Sequence, residues 1–194
     1  VAGGSAQASA IATTLSRTGC AQAADPRLPA DGMVPYDLNT PLWSDGAAKS
    51  RWLAVPADGV IEVAADGDWS FPIGSVLRKD FAIDGKLVET RLLMHHDDGA
   101  DQLDGGWAGY SYRWDEAQKE AVLVESGAVD TLANGQVWTF PSGADCLRCH
   151  TEAAGRTLGP KTAQLDLDTT YPTTGRTANQ VATLEAIGML GVSG

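Results

Sequence analysis

Val76-Leu77-Arg78-Lys79-Asp80-Phe81-Ala82-Ile83, then Asp84-Gly85, then a second run from Leu87 to His96, is the stretch whose reading decides the fold. Both runs are rich in β-branched and aliphatic residues, and an Asp-Gly pair stands between them, which predicts an antiparallel hairpin. A strand turns successive side chains to opposite faces. In the second run this sets Val88, Thr90, Leu92, Met94 and His96 on one face and Glu89, Arg91, Leu93 and His95 on the other. Working outward, Val60 to Val63 and Trp107 to Trp114 read as further strands, with Ala121 to Val124 and Gln136 to Phe140 as shorter ones. Turn formers such as Asp66-Gly67-Asp68 separate them. From Pro35 to Arg51 the chain is dense in turn formers and aromatics, which predicts a structured loop packed by Tyr36, Leu42 and Trp43. Helix is confined to the end: one segment near Ala144 to Ala153, and a second from Ala178 to Ile187 with Thr177 as its cap. The expected class is α+β, an antiparallel β-rich body followed by these two C-terminal helices. Residues 1–30, rich in Ala, Gly, Ser and Thr, read as a flexible segment or linker, leaving 31–194 as one β-rich domain.

The 194 residues carry 25 acidic and 14 basic side chains, a formal charge of -11. Nucleic acid is excluded as a partner, because phosphate binding needs a basic footprint. A protein partner presenting a basic patch fits better, since complementary fields speed encounter, and acidity that serves only solubility stands as an equal alternative. No apolar run is long enough to cross a membrane as a helix. No basic start with an apolar core marks a signal peptide, so an exported chain has already lost it. The acidic run from Asp97 to Asp104 lacks the alternate-position ligands and distant Glu of a calcium loop and reads as a solvated hairpin tip.

The densest chemistry lies in Cys146-Leu147-Arg148-Cys149-His150. C-x-x-C-H is the spacing by which haem becomes thioether-bonded to a chain. Two cysteines three residues apart share one side of a helical turn and reach the two vinyl groups, and the next residue, His150, is placed to ligate the iron. A zinc half-site or a redox dithiol uses the same pair, but Cys20 is the only other cysteine and the chain has three histidines in all. Cys20 itself is the odd cysteine, open to pairing with another chain or to burial as a thiol.

With C-x-x-C-H at Cys146 to His150 and Gly159-Pro160 nine to ten residues further on, the chain resembles the c-type cytochromes, and the resemblance implies that a carbonyl near Gly159-Pro160 accepts the imidazole's free N–H. The late motif behind a β-rich body, with Phe71-Pro72-Ile73-Gly74-Ser75-Val76-Leu77-Arg78-Lys79 entering a strand, is similar to the sheet-based cytochromes of the cytochrome c-prime-beta group. It is similar too to the cytochrome modules of secreted quinone-dependent dehydrogenases. The resemblance implies a single haem c, bound through Cys146 and Cys149, in an exported, periplasmic or extracellular bacterial protein. The function implied is single-electron carriage between redox partners. Two alternatives stay open: a haem enzyme or gas-binding protein with an open distal site, and a module or subunit of a larger oxidoreductase complex.

The second axial ligand separates these readings. Met94, on the apolar face of its strand, and Met189, 39 residues past His150, are the candidates, each set against simple core filling. Met33 lies in a turn-rich segment, and His95 and His96 point oppositely beside acidic residues. Arg91 and Arg148 are the expected partners of the haem carboxylates, because a guanidinium fork matches a carboxylate. Lys79 either lines the same pocket or reaches water at a sheet edge.

Overall fold

The computed structural model describes residues 11–97 and 106–192. Its strands are β1 (Val34–Pro35), β2 (Ala48–Ala54), β3 (Ile61–Val63), β4 (Trp69–Ser70), β5 (Val76–Ile83), β6 (Lys86–His95), β7 (Trp107–Trp114), β8 (Ala121–Leu123), β9 (Ala128–Thr131) and β10 (Val137–Phe140). After them come α1 (Gly143–Cys149), α2 (Thr162–Leu165), β11 (Asp168–Tyr171), β12 (Arg176–Asn179), α3 (Gln180–Ala186) and β13 (Leu190–Val192). Most of the acidic run lies outside the described residues.

Six strands form one antiparallel sheet in the order β1-β2-β5-β6-β7-β8. The β5–β6 hairpin predicted from Asp84-Gly85 is its centre, and Asp84 and Gly85 both adopt positive φ, at 50° and 76°. The register slips between Phe81 and Ala82, a bulge that re-aims the hairpin tip. Between β2 and β5 the chain makes the β3–β4 pair, to which β13 returns in parallel.

The expected α+β class is corrected to a β-rich fold, 38% strand and 14% helical. The C-terminal third is not a helical cap: β11 and β12 form a hairpin, and the described chain ends in a strand. The second expected helix begins only at Gln180, capped by Asn179 Oδ1 rather than by Thr177, which pairs across the hairpin with Thr170. Thr169, Thr170 and Thr177 carry β-branches that favour the strand.

The sheet has two covered faces. On one, Leu92 and Tyr112 pack with Trp114, Ala121 and the N-terminal residues Leu15, Cys20 and Ala21. Of the segment expected to be flexible, residues 1–10 are outside the described chain and 11–30 lie against this face. Leu15 is fully buried and Cys20 nearly so. On the opposite face two cores stand apart. One gathers Leu53, Leu77, Leu93 and Trp107 with Tyr36, Ile61 and Leu184, and the other gathers Phe81, Trp138 and Phe140.

Candidate functional site

Between those two cores the pairing register lays Arg51 of β2, Lys79 of β5, Arg91 of β6 and Ser111 of β7 in one row across the sheet. Neighbouring strands are roughly 4.8 Å apart, so three cationic side chains stand side by side in a chain whose net charge is -11. Above the row lies a cleft of about 310 Å³, whose lining includes Arg51, Lys79, Arg91, Cys146, Cys149 and His150.

The cysteine side of the cleft is built by α1. Phe140, buried at the end of β10, and Pro141 deliver the chain to Ser142, whose Oγ accepts from the Asp145 N–H while the Asp145 carboxylate accepts from the Ser142 N–H. That reciprocal cap fixes where the helix starts. The helix then crosses β7 at Gly109: a Cβ there would lie 2.5 Å from Cys146 Cβ and 2.8 Å from its sulfur. Only glycine lets the Cys146 thiol approach the sheet this closely.

His150 ends the helix. Its Nδ1 lies 2.5 Å from the Arg156 carbonyl, which as acceptor requires the proton on Nδ1 and leaves Nε2 as the lone-pair nitrogen. The expected acceptor near Gly159-Pro160 is thus corrected to a carbonyl slightly earlier in the loop, whose left-handed Gly155 and Arg156 turn the backbone toward the ring. Burial pushes the imidazole pKa down against that hydrogen bond, helped by Lys79 and Arg91, and so favours the neutral, ligating form.

Among the cations, Arg91 is held in place. The buried Glu89 carboxylate accepts from its Nε at 2.7 Å and its NH2 at 2.8 Å, and from Ser111 Oγ and Trp138 Nε1 as well. Arg91 also lies over the Phe81 ring, 4.6 Å from the centroid. Among the described residues Arg51 has no such partner: it is 6% exposed and its buried NH2 nitrogen makes no hydrogen bond there. An orphaned guanidinium nitrogen is costly, and an anionic group in the cleft would satisfy it. The sequence reading missed Arg51, because only the β2–β5 register shows that it faces inward.

Burial is the largest influence on Lys79 and pulls its amine down to about 8, with Arg51, Arg91 and Lys49 adding to it and Glu89 opposing. A folded pKa of about 8 against an ordinary 10.5 means that the unfolded chain binds more protons between those values. Taken alone, Lys79 therefore makes the ligand-free chain more stable as pH increases through that window. The raised thiols of Cys20 and Cys146 and the raised phenols of Tyr36 and Tyr112 act in the opposite direction. Lys49, shifted the same way as Lys79, adds a little. The urea midpoint of the parent, referred to that of Lys79→Met at each pH, should climb across the window, because the opposing thiols and phenols are common to both.

Several expected site residues stand elsewhere. Arg148 is 81% exposed and faces Asp145 at 3.5 Å, so it does not reach the cleft. Met94 belongs to the opposite face of the sheet, packed with the core around Leu92 and Tyr112. Met189 packs against the core containing Ile61 and Leu190. The described lining of the cleft includes no methionine. His95 stacks on Trp107 at 4.6 Å and bonds the Phe71 carbonyl, away from the cleft. Leu42 and Trp43 do not pack the loop: they are 75% and 73% exposed, Leu42 at the cleft's rim.

The other uses of a C-x-x-C pair find little support in this geometry. Burial raises the Cys146 thiol's pKa, the reverse of what a redox dithiol or nucleophile needs. Among the described residues no group of three or more His, Cys, Asp or Glu converges to hold a lone metal ion. A larger cavity of about 580 Å³ at the hairpin end of the sheet contains neither cysteine nor histidine. No protein-family model, curated protein or solved structure matches the chain.

Proposed function

We propose that the chain is an exported monohaem c-type cytochrome that carries single electrons between redox partners. The observation carrying this reading is a buried Arg51 nitrogen that has no hydrogen-bond partner among the described residues, in a cleft that also holds Cys146, Cys149 and His150. Haem c fits such a cleft chemically: an apolar disc with two carboxylates, two vinyl groups and an iron that seeks a neutral imidazole. When bound it would supply the one-electron couple.

The chain's own residues then have distinct tasks. Cys146 and Cys149 tether the group through their sulfurs, and His150 offers Nε2 because the Arg156 carbonyl holds Nδ1. Arg51 pairs with a carboxylate. Arg91, already committed to Glu89, adds field rather than a full fork. Leu77 and Leu93 on the sheet and Leu38 on the loop above it exclude water. The net charge of -11 suits a partner with a basic patch, and no helix among the described residues is long and apolar enough to cross a membrane.

Expression with a haem-attachment system tests the reading. The parent chain should keep its pigment through denaturation in acidified organic solvent and gain the mass of one haem. Cys146→Ala/Cys149→Ala should retain none covalently. Colourless parent protein under these conditions would end the proposal. The absence of methionine from the described cleft lining favours a second reading, an open distal position that takes gases or peroxide. A high-spin spectrum that shifts with carbon monoxide would select it.

A further inference from the structure

We propose that Lys79 is the second axial ligand, giving a haem iron held between His150 and a lysine nitrogen. The inference rests on the haem reading above and deepens it. A second ligand must come from a side chain that lines the cleft and carries a free lone pair. The described lining offers no methionine and no histidine besides His150. Arginine does not deprotonate in proteins. Of the remaining lining groups, Asp145 is engaged with the Ser142 cap, Tyr36 keeps its phenol proton in apolar surroundings, and the Gln164 amide is bonded to Thr40. The hydroxyls of Thr40, Ser44 and Thr157 are neutral oxygens outside the set of side chains that hold haem iron. Lys79 is left. It stands in the middle of the cationic row, between Arg51 and Arg91. Its ammonium lies 4.9 Å from the Phe81 ring centroid, and no hydrogen bond or ion pair holds it among the described residues. Both neighbouring cations have other work: Arg91 is tied to Glu89, and Arg51 carries the orphaned nitrogen that an incoming carboxylate would meet.

Binding changes no oxidation state. The ammonium gives one proton to solvent, and the freed nitrogen lone pair forms the dative bond to iron. With both axial positions taken by nitrogen, the protein exchanges electrons and resists exogenous ligands.

The test uses the full chain with haem attached, and reads low-temperature electron paramagnetic resonance and near-infrared magnetic circular dichroism of the ferric form. The parent should be low-spin with a pair of nitrogen ligands and should not bind carbon monoxide when reduced. Lys79→Ala and Lys79→Arg should both turn fully high-spin and bind the gas while keeping covalent pigment. A merely structural role for the positive charge would be rescued by arginine. A high-spin parent, or a Lys79→Ala spectrum unchanged from the parent, overturns the assignment and leaves the haem reading standing. Absence of covalent pigment in the parent overturns both.

Discussion

Arg78→Leu is expected to lower folding stability by about 3–5 kcal/mol, the cost of stranding one member of a buried ion pair. Arg78 is fully buried. Its Nε and NH2 donate to the Asp80 carboxylate at 3.0 and 2.8 Å. Its NH1 reaches the carbonyls of Cys20 and Leu28, and its NH2 those of Pro26 and Arg27, at 2.9 to 3.2 Å. One side chain thus satisfies four carbonyls and clasps residues 20–28 to the sheet. Without it Asp80 keeps, among the described residues, only the Thr90 hydroxyl at 2.7 Å. Burial already raises the Asp80 pKa above its ordinary value, and loss of Arg78 raises it further. A carboxyl whose folded pKa is raised loses stability as pH climbs through the window between the unfolded and folded values. The deficit of the variant should therefore shrink toward pH 4 and be full at neutrality. Urea denaturation at both pH values measures it, and Arg78→Leu/Asp80→Leu should recover only the part due to the stranded carboxylate, since the four carbonyls that Arg78 served stay without their donor. A single variant within 1 kcal/mol of the parent at pH 7 would show that the clasp contributes little.

The same network marks where the sequence stops being legible. Strands β5 and β7 have the bounds that alternation and flanking turns set, Val76–Ile83 and Trp107–Trp114, because their signal is local. Strand β2 escapes that logic. Ala48 to Ala54 reads Ala-Lys-Ser-Arg-Trp-Leu-Ala, and the inward side chain at its centre is Arg51, a charge that pattern analysis assigns to solvent. The C-terminal hairpin was hidden by the helix-forming residues that follow it. The strand β13 is invisible locally because its partner, Ile61 to Val63, lies more than half the chain away. The Cys146-to-His150 stretch stands out in the sequence because the chemistry it offers is contained in five residues. The residues that face it across the cleft do not. Alternation correctly separates Met94 from Arg91 and Leu93, but only the crossing of α1 over β7 at Gly109 shows which face the cleft uses.

Glu89→Leu is the second large effect, about 2–5 kcal/mol. It comes chiefly from two buried donors, Trp138 Nε1 and Ser111 Oγ, each left unsatisfied at roughly 1–3 kcal/mol. Arg91 adds less, because its side chain is 34% exposed and turns toward water once released. Glu89→Gln keeps one carbonyl oxygen for Trp138 or Ser111 but aims an amide N–H at the guanidinium, so an intermediate loss is expected. The two contributions separate by ligand state. Trp138 and Ser111 are buried at the sheet, and their penalty is the same in either form. Arg91 faces the cleft, where, on the haem reading proposed above, a haem carboxylate would replace the lost counter-charge. Glu89→Leu should therefore destabilise the ligand-free chain more than the chain carrying covalent haem, as read from paired urea transitions. Equal losses in both forms would mean that Arg91 does not meet the carboxylates, leaving Arg51 alone to do so.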